Sequence, residues 1–180
     1  MKSLLCLLII GGCSETADSI TAGRAFVTQR KCAACHQSPN PKDGVLSGLA
    51  TALTKTPEVV PIPADAMVYP PNLTPDVETG LGGWADVEII RAIRYGVDND
   101  QVPLCPTMPH FDGTSKGEAA MTDVEANAIV AYLRSLPAVS RPDIPESICP
   151  PLKTEDSGDM PDMAASQSSD DGGTVDGGAD

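Results

Sequence analysis

The segment Cys32-Ala33-Ala34-Cys35-His36 decides the fold class that we predict for this chain of 180 residues. Two cysteines separated by two alanines are followed at once by one of the two histidines of the chain. Near a helix end, two thiols at this spacing can both reach one edge of a flat ring, and the next residue points an imidazole toward the centre. The segment therefore predicts a cofactor held by two sulfur bonds and one nitrogen ligand.

The pattern C-x-x-C-H is the haem-attachment motif, in which each thiol adds to one vinyl group of the porphyrin. We predict one covalent haem c, attached through Cys32 and Cys35, with His36 as an axial ligand of its iron. A thioredoxin-like redox pair would need a βαβ setting, and no strand pattern surrounds this motif. A zinc site would need a second Cys or His pair, whereas His110 is the sole other histidine.

The composition agrees with a buried cofactor. Six residues are aromatic, namely Phe26, Tyr69, Trp84, Tyr95, Phe111 and Tyr132. Because large rings normally dominate burial, so few of them cannot build a rich core, and a haem would supply the missing apolar volume. The alternative is a marginal, proline-stiffened domain with a small aliphatic core. The formal net charge of −13 makes nucleic acid a poor partner.

The N-terminus has the features of an export signal. Lys2 precedes an apolar run over residues 4–10, which is too short for the ~20 residues that span a bilayer. The run ends in Ile10-Gly11-Gly12-Cys13, which resembles the lipobox of bacterial lipoproteins. We therefore predict that Cys13 is lipidated, and an ordinary signal peptide cut near the same place is the alternative.

These features divide the chain into four parts. We predict a lipoprotein-type signal peptide over 1–12, a lipidated tether over 13–19, a haem domain over 20–152 and a disordered tail over 153–180. The tail holds eight acidic residues and one lysine, and it has too little apolar surface to offset its ordering entropy. Ser14 resembles the pattern that permits sorting to an outer membrane. The mature protein is expected on the periplasmic side of the envelope, anchored to the membrane by lipid.

The six cysteines separate by location. Cys6 lies inside the signal and Cys13 is the lipidation candidate. Cys105 and Cys149 remain as an even pair in an oxidising compartment, where disulfides persist. We predict a disulfide between them, with two unpaired thiols as the alternative.

Sequence periodicity predicts an all-α domain of three to four short helices around the haem, joined by long Pro/Gly-rich loops. The first helix is expected to run from about Ile20 through the motif. The second spans residues 84–95, with Gly96 in the left-handed position after its end. The last helix begins at a capping Thr122, and Glu125 is expected to complete a capping box.

The second axial ligand of the iron is expected far along the chain. The methionines after the motif are Met67, Met108, Met121, Met160 and Met163. Met108 is the leading candidate because the adjacent Pro109 and a proline-braced loop could hold its thioether rigidly. His/Met ligation raises the reduction potential and suits electron transfer. His110 and an open iron are the alternatives.

Five stretches resemble a group of class I cytochromes c: Gly23-Arg24-Ala25-Phe26-Val27, Asn72-Leu73-Thr74-Pro75-Asp76, Glu78-Thr79-Gly80-Leu81-Gly82-Gly83-Trp84, Met108-Pro109 and Ile129-Val130-Ala131-Tyr132-Leu133-Arg134-Ser135-Leu136-Pro137. This group comprises single-haem domains similar to those in cytochrome subunits of periplasmic alcohol and sugar-acid dehydrogenases. The resemblance covers about residues 23–139.

The resemblance implies that Cys32 and Cys35 attach the haem, with His36 and Met108 as the axial ligands. It also implies that the first and last helices cross, with Gly23 and Phe26 near Tyr132. The sequence departs from the group at His110, where an aromatic residue is usual, and in its additional cysteines Cys105 and Cys149. It also carries one haem domain rather than several.

The function predicted from these residues is electron transfer by a carrier that is not itself an enzyme. Its expected partners are redox proteins, with a periplasmic dehydrogenase and a terminal oxidase as candidates. The first alternative is a haem-based redox or gas sensor that uses a weak Met108 bond. The second is a haem peroxidase, which resembles this group but carries two C-x-x-C-H motifs, whereas this chain has one.

Overall fold

The computed structural model describes residues 10–54, 62, 65–114 and 119–149. Their helices are α1 (Ile10–Gln29), α2 (Ala33–His36), α3 (Asp86–Tyr95) and α4 (Asp123–Ser135), with short 3₁₀ turns at Pro41–Asp43 and Leu81–Gly83. The described residues form no β-strand, although two isolated bridges join Met67 to Ile148 and Val97 to Pro103. The predicted all-α class is therefore confirmed. The predicted acidic tail and residues 1–9 of the predicted signal lie outside the described residues.

Helix α1 begins at Ile10, ten residues before the predicted start near Ile20. Residues 14–19 contain no glycine or proline that would stop the helix, so the predicted tether is helical. The prediction that this helix continues through the motif is also wrong. Lys31 adopts a φ of 56°, which interrupts the right-handed backbone between α1 and α2. None of the described helices combines the length and apolar character that crossing a bilayer requires.

Helices α1 and α4 pack closely against each other at Gly23. A Cβ atom added to Gly23 would lie 1.9 Å from the carbonyl oxygen of Ala128 and 2.8 Å from the Cβ of Tyr132. Only a residue without a side chain allows the two backbones to approach this closely. The crossing of the first and last helices, with Gly23 near Tyr132, is therefore confirmed.

The core beneath this crossing is mainly aliphatic. Its buried members are Val27, Leu46, Leu81, Ile89, Phe111, Met121, Ala126, Ile129, Val130 and Leu133. Helix α3 contributes Ile89 and is followed by Gly96, whose φ of 64° and ψ of 38° confirm the predicted left-handed position. Met121 is 5% exposed and its side chain is part of this cluster, as expected of a methionine that fills a core.

The N-terminus of α4 is capped by Thr122, whose side-chain oxygen accepts a hydrogen bond from the Glu125 backbone at 3.2 Å. The predicted second half of the capping box is wrong. The Glu125 carboxylate instead accepts two hydrogen bonds from the Arg30 guanidinium, at 2.7 and 3.1 Å. Both side chains are 9% exposed, and a charge-assisted bidentate pair is stronger than a bond to a neutral backbone amide. Arg30 also lies 4.7 Å from the centre of the Phe111 ring.

We expect Thr122→Ala to lower the free energy of unfolding by about 1 kcal/mol, because the α4 N-terminus loses its side-chain acceptor. Urea denaturation of the holoprotein measures this difference. Thr21→Ala is the matched control, since Thr21 is exposed within α1 and its hydroxyl donates to the Ala17 carbonyl. A surface change of that kind is expected to stay within about 0.5 kcal/mol. Equal losses in the two variants would contradict the capping role.

Candidate haem site

The motif folds as one helical turn. Helix α2 spans Ala33–His36, and the backbone carbonyl of Cys32 accepts hydrogen bonds from Cys35 at 3.3 Å and His36 at 2.9 Å. Cys32 and Cys35 are free thiols, and each is partly exposed. The structure therefore places both predicted sulfur atoms and the predicted nitrogen ligand on the same short segment.

The two thiols stay protonated at neutral pH. Burial raises the pKa of Cys32 to about 11, and burial also raises the pKa of Cys35. Both residues therefore present an S–H bond rather than a thiolate, which disfavours a redox-active or metal-binding cysteine pair. Formation of a thioether with a vinyl group consumes such an S–H bond without any oxidant, because the hydrogen and the sulfur add across the double bond.

The imidazole of His36 is oriented for metal binding. The residue is 7% exposed, and its Nδ1 lies 2.9 Å from the carbonyl oxygen of Pro71. A carbonyl can only accept, so Nδ1 carries the proton and Nε2 keeps its lone pair. Burial lowers the pKa of His36, while the bond to Pro71 acts in the opposite direction. The ring is therefore neutral at pH 7, and this donor set fits covalent haem.

A glycine turn holds the backbone of His36. The amide of Gly48 donates to the His36 carbonyl at 2.8 Å, and the amide of Leu49 donates to Pro70 at 3.0 Å. Gly48 has a φ of +80°, and a Cβ there would lie 2.7 Å from the Pro70 oxygen and 2.8 Å from the Asn72 amide nitrogen. Glycine is therefore required where this turn contacts the segment that supplies the Pro71 carbonyl.

Sequence reasoning missed a buried arginine behind this turn. Arg141 is 7% exposed and donates to the carbonyl and hydroxyl of Ser47, both at 3.1 Å, and to the carbonyl of Gly48 at 3.4 Å. Its other nitrogens bind the Asp143 carboxylate at 2.8 and 3.0 Å, and this bond raises the pKa of Arg141. Asp143, two residues after Arg141, was the only sequence signal for a paired arginine. The contact with Ser47 could not be predicted, because the two residues are 94 positions apart.

The stretch that carries the strongest resemblance also has a structural role. Asn72 is 2% exposed, and its side-chain Nδ2 donates to the Val139 carbonyl at 2.7 Å. Its side-chain oxygen accepts from the Thr74 backbone at 3.0 Å. These bonds attach the segment after Pro71 to the chain that follows α4, so the acceptor for His36 is held from both sides.

The leading candidate for the second axial ligand lies in the loop between α3 and α4. Met108 is partly buried, and its amide donates to the Cys105 carbonyl at 3.0 Å. Of the alternatives, Met67 is 46% exposed. His110 packs over the end of α3, since a Cβ on Gly96 would lie 1.9 Å from its Nε2.

The structure brings the remaining two cysteines together. Cys105 and Cys149 are joined sulfur to sulfur, with their Cα atoms 5.5 Å apart, which is within the range for disulfides. Met108 therefore lies three residues from this crosslink. The lipidation predicted at Cys13 has no counterpart here, because the side chain of Cys13 lies outside the described residues.

An all-α domain with two protonated thiols and a buried, hydrogen-bonded imidazole on one helical turn defines a c-type haem protein. The chain belongs to the cytochrome c family, whose family model matches residues 20–137. The cofactor is therefore haem c, bound covalently. This assignment also confirms the resemblance to class I c-type cytochromes.

The chain is also similar to three longer proteins. The chain is 31% identical over 122 residues to a subunit of nicotinate dehydrogenase from Pseudomonas putida, covering 68% of this chain and 9% of the relative. It is 29% identical to a diheme cytochrome c-type protein of Cereibacter sphaeroides, covering 67% and 37%. It is 28% identical to the fructose dehydrogenase cytochrome subunit of Gluconobacter japonicus, covering 67% and 22%. The chain thus spans less than two fifths of each of these relatives.

Proposed function

We propose that this protein is a single-haem electron carrier whose iron is ligated by His36 and Met108. Bound haem supplies a one-electron couple between ferrous and ferric iron. The observation that carries the proposal is the 2.9 Å contact between His36 Nδ1 and the Pro71 carbonyl, which leaves Nε2 as a neutral metal ligand. A fixed tautomer and ring orientation is what a permanent axial ligand requires.

The residues of the chain act by holding ligands rather than by reacting in each cycle. The thiols of Cys32 and Cys35 are consumed once, when they form thioethers. Pro71 and Gly48 fix the ring and the backbone of His36. Met108 would supply a neutral thioether, which stabilises the ferrous state and raises the reduction potential. Because no ligand leaves during electron transfer, little reorganisation is needed.

We further propose that the partners are redox proteins, with a dehydrogenase as electron donor and a terminal oxidase as a candidate acceptor. Relatives named as subunits of nicotinate dehydrogenase and fructose dehydrogenase support a dehydrogenase. The net charge of −13 favours docking on a basic patch, with an association rate that falls as salt rises. The export signal and lipobox support a lipid anchor at Cys13, on the periplasmic side of the envelope.

Met108→Ala tests the ligand set. We expect the ferric holoprotein to lose its near-infrared methionine-to-iron absorption band completely, because the thioether is removed while the haem stays covalently attached. The reduced variant is also expected to bind carbon monoxide, which the wild-type protein excludes. Near-infrared absorption and carbon monoxide difference spectra measure both effects.

Two matched variants serve as controls for this test. Met67→Ala removes an exposed methionine and His110→Ala removes the alternative ligand, and both should keep the near-infrared band. A band that persists in Met108→Ala, or that disappears in His110→Ala, would contradict the proposed ligation. Carbon monoxide binding by the reduced wild-type protein would instead favour the sensor.

A further inference from the structure

We propose that the Cys105–Cys149 disulfide is a positioning device for Met108, and that it keeps the methionine thioether bound to the iron. This inference rests on the proposed His36/Met108 ligation. The two cysteines would act through the loop backbone and would not contact the iron themselves. Their function would therefore be to set the ligand affinity and, through it, the reduction potential.

The first step is the turn that presents Met108. Its amide donates to the Cys105 carbonyl at 3.0 Å, so the turn begins at the crosslinked cysteine itself. Backbone hydrogen bonds hold the segment 104–111 at both ends. Leu104 donates to Gly96, which follows α3, at 2.7 Å, and Phe111 donates to Ile93 of α3 at 3.3 Å. Cys105 lies between these two ends, and the disulfide attaches it covalently to Cys149 at the base of the Met108 turn.

The second step is the segment that holds the other cysteine. Ile148, next to Cys149, exchanges two backbone hydrogen bonds with Met67, both 2.8 Å long. The Ser147 hydroxyl accepts from the Tyr69 amide at 2.8 Å and donates to the Tyr69 carbonyl at 3.1 Å. Residues 147–149 are therefore paired with residues 67–69 and form a fixed support for the crosslink.

The third step joins this support to the proximal ligand. Residues 67–69 lead directly to Pro71, whose carbonyl accepts the 2.9 Å bond from His36 Nδ1. One covalent crosslink and four hydrogen bonds therefore connect the Met108 turn to the segment that orients His36. The same short segment supports both predicted axial ligands, although they are 72 residues apart in the sequence.

Without the disulfide, the Met108 turn depends on the hydrogen bonds at the ends of its loop. The crosslink joins Cys105 to a residue 44 positions away in the sequence, so no neighbouring stretch of chain replaces this attachment when it is removed. A tethered ligand binds in proportion to its effective concentration, and a freer loop lowers that concentration at the iron. We therefore expect the thioether to dissociate more often and to leave the iron open to external ligands.

The test uses full-length holoprotein with Cys105 and Cys149 both replaced by serine. We expect the reduced variant to bind carbon monoxide, which the reduced wild-type protein excludes, with an apparent rate about tenfold or more above the wild-type background. The near-infrared methionine band of the ferric variant should weaken, and its reduction potential should fall. Thr122→Ala is the matched control, because it destabilises the N-terminus of α4 without removing a contact of the Met108 turn, and it should leave all three readouts unchanged.

If the double serine variant does not fold, chemically modified wild-type protein replaces it in the test. Folded wild-type protein is reduced with a dithiol, its two released thiols are alkylated, and the haem is then reoxidised. The dithiol supplies the two electrons and two protons that reduce the disulfide. Mass spectrometry of the product then counts two alkyl groups. The alkylated protein is expected to behave as the double serine variant does.

Three outcomes would overturn the inference, and they differ in whether His36/Met108 ligation survives. A wild-type protein with the methionine band, whose crosslink-free forms exclude carbon monoxide and keep the wild-type potential, refutes the positioning role but leaves His36/Met108 ligation intact. A wild-type protein without that band refutes the ligation and the inference together. Free thiols at Cys105 and Cys149 in the isolated protein would also overturn the inference.

Discussion

A protein with both Cys32 and Cys35 replaced by alanine is expected to release all of its haem on denaturation, whereas the wild-type protein retains it. The reason is that the thioethers are the covalent link, and the His36 bond to iron does not survive unfolding. Haem-dependent peroxidase staining after denaturing electrophoresis measures the retained haem. We also expect little folded protein, because haem supplies apolar volume that a core poor in aromatic side chains lacks.

The single variants Cys32→Ala and Cys35→Ala provide a graded comparison. Each should keep one thioether, and the absorption maximum of the reduced pyridine complex should shift because one vinyl group stays unsaturated. Serine at Cys105 and Cys149 is the matched control, since these cysteines lie outside the motif and their loss should leave the haem attached. Haem that remains on the denatured double alanine chain would refute attachment at the motif.

Glu125→Ala is expected to lower the free energy of unfolding by about 3–5 kcal/mol, because it removes the carboxylate that accepts two hydrogen bonds from the Arg30 guanidinium in a site that is 9% exposed. The contact is bidentate, at 2.7 and 3.1 Å. Among the ion pairs given for the described residues, this one has the most buried carboxylate. Chemical denaturation of the holoprotein measures the loss.

Two controls separate the buried charge from simple truncation. Arg30→Met combined with Glu125→Leu removes both charges and keeps apolar volume, so it should recover most of the stability. Asp123→Ala breaks the pair with Arg94, in which Asp123 is 87% exposed, and should cost at most about 1 kcal/mol. A Glu125→Ala loss no larger than that of Asp123→Ala would show that the Arg30 charge is solvated.

Local features of the fold could be predicted from the sequence because their partners are neighbours. The C-x-x-C-H turn, the cap at Thr122 and the left-handed Gly96 each depend on residues within four positions. Glu125 shows where local reasoning fails. Its spacing from Thr122 predicts a capping box, but the carboxylate binds Arg30, which is 95 positions away in the sequence. A distant charge outcompetes a nearby backbone amide, and no local pattern signals it.

The supports of the candidate site were less accessible for the same reason. The carbonyl of Pro71 orients His36 across 35 positions, and any residue offers a carbonyl, so the sequence carries no signal for it. Arg141 reaches Ser47 from a stretch with no periodicity. The early start of α1 could not be predicted because residues 14–19 lack an apolar stripe, and the periodicity of such a stripe is the main helix signal in a sequence.

The uninterrupted course of α1 has a consequence for how electrons reach this protein. From Cys13 to Gly23, where α1 meets α4, a rise of 1.5 Å per residue gives a stalk of roughly 15 Å. If Cys13 carries the proposed lipid, a stiff stalk of this length would limit both the height and the tilt of the haem domain above the bilayer. Membrane-bound donors would then be selected by how far their own redox centres stand out from the lipid.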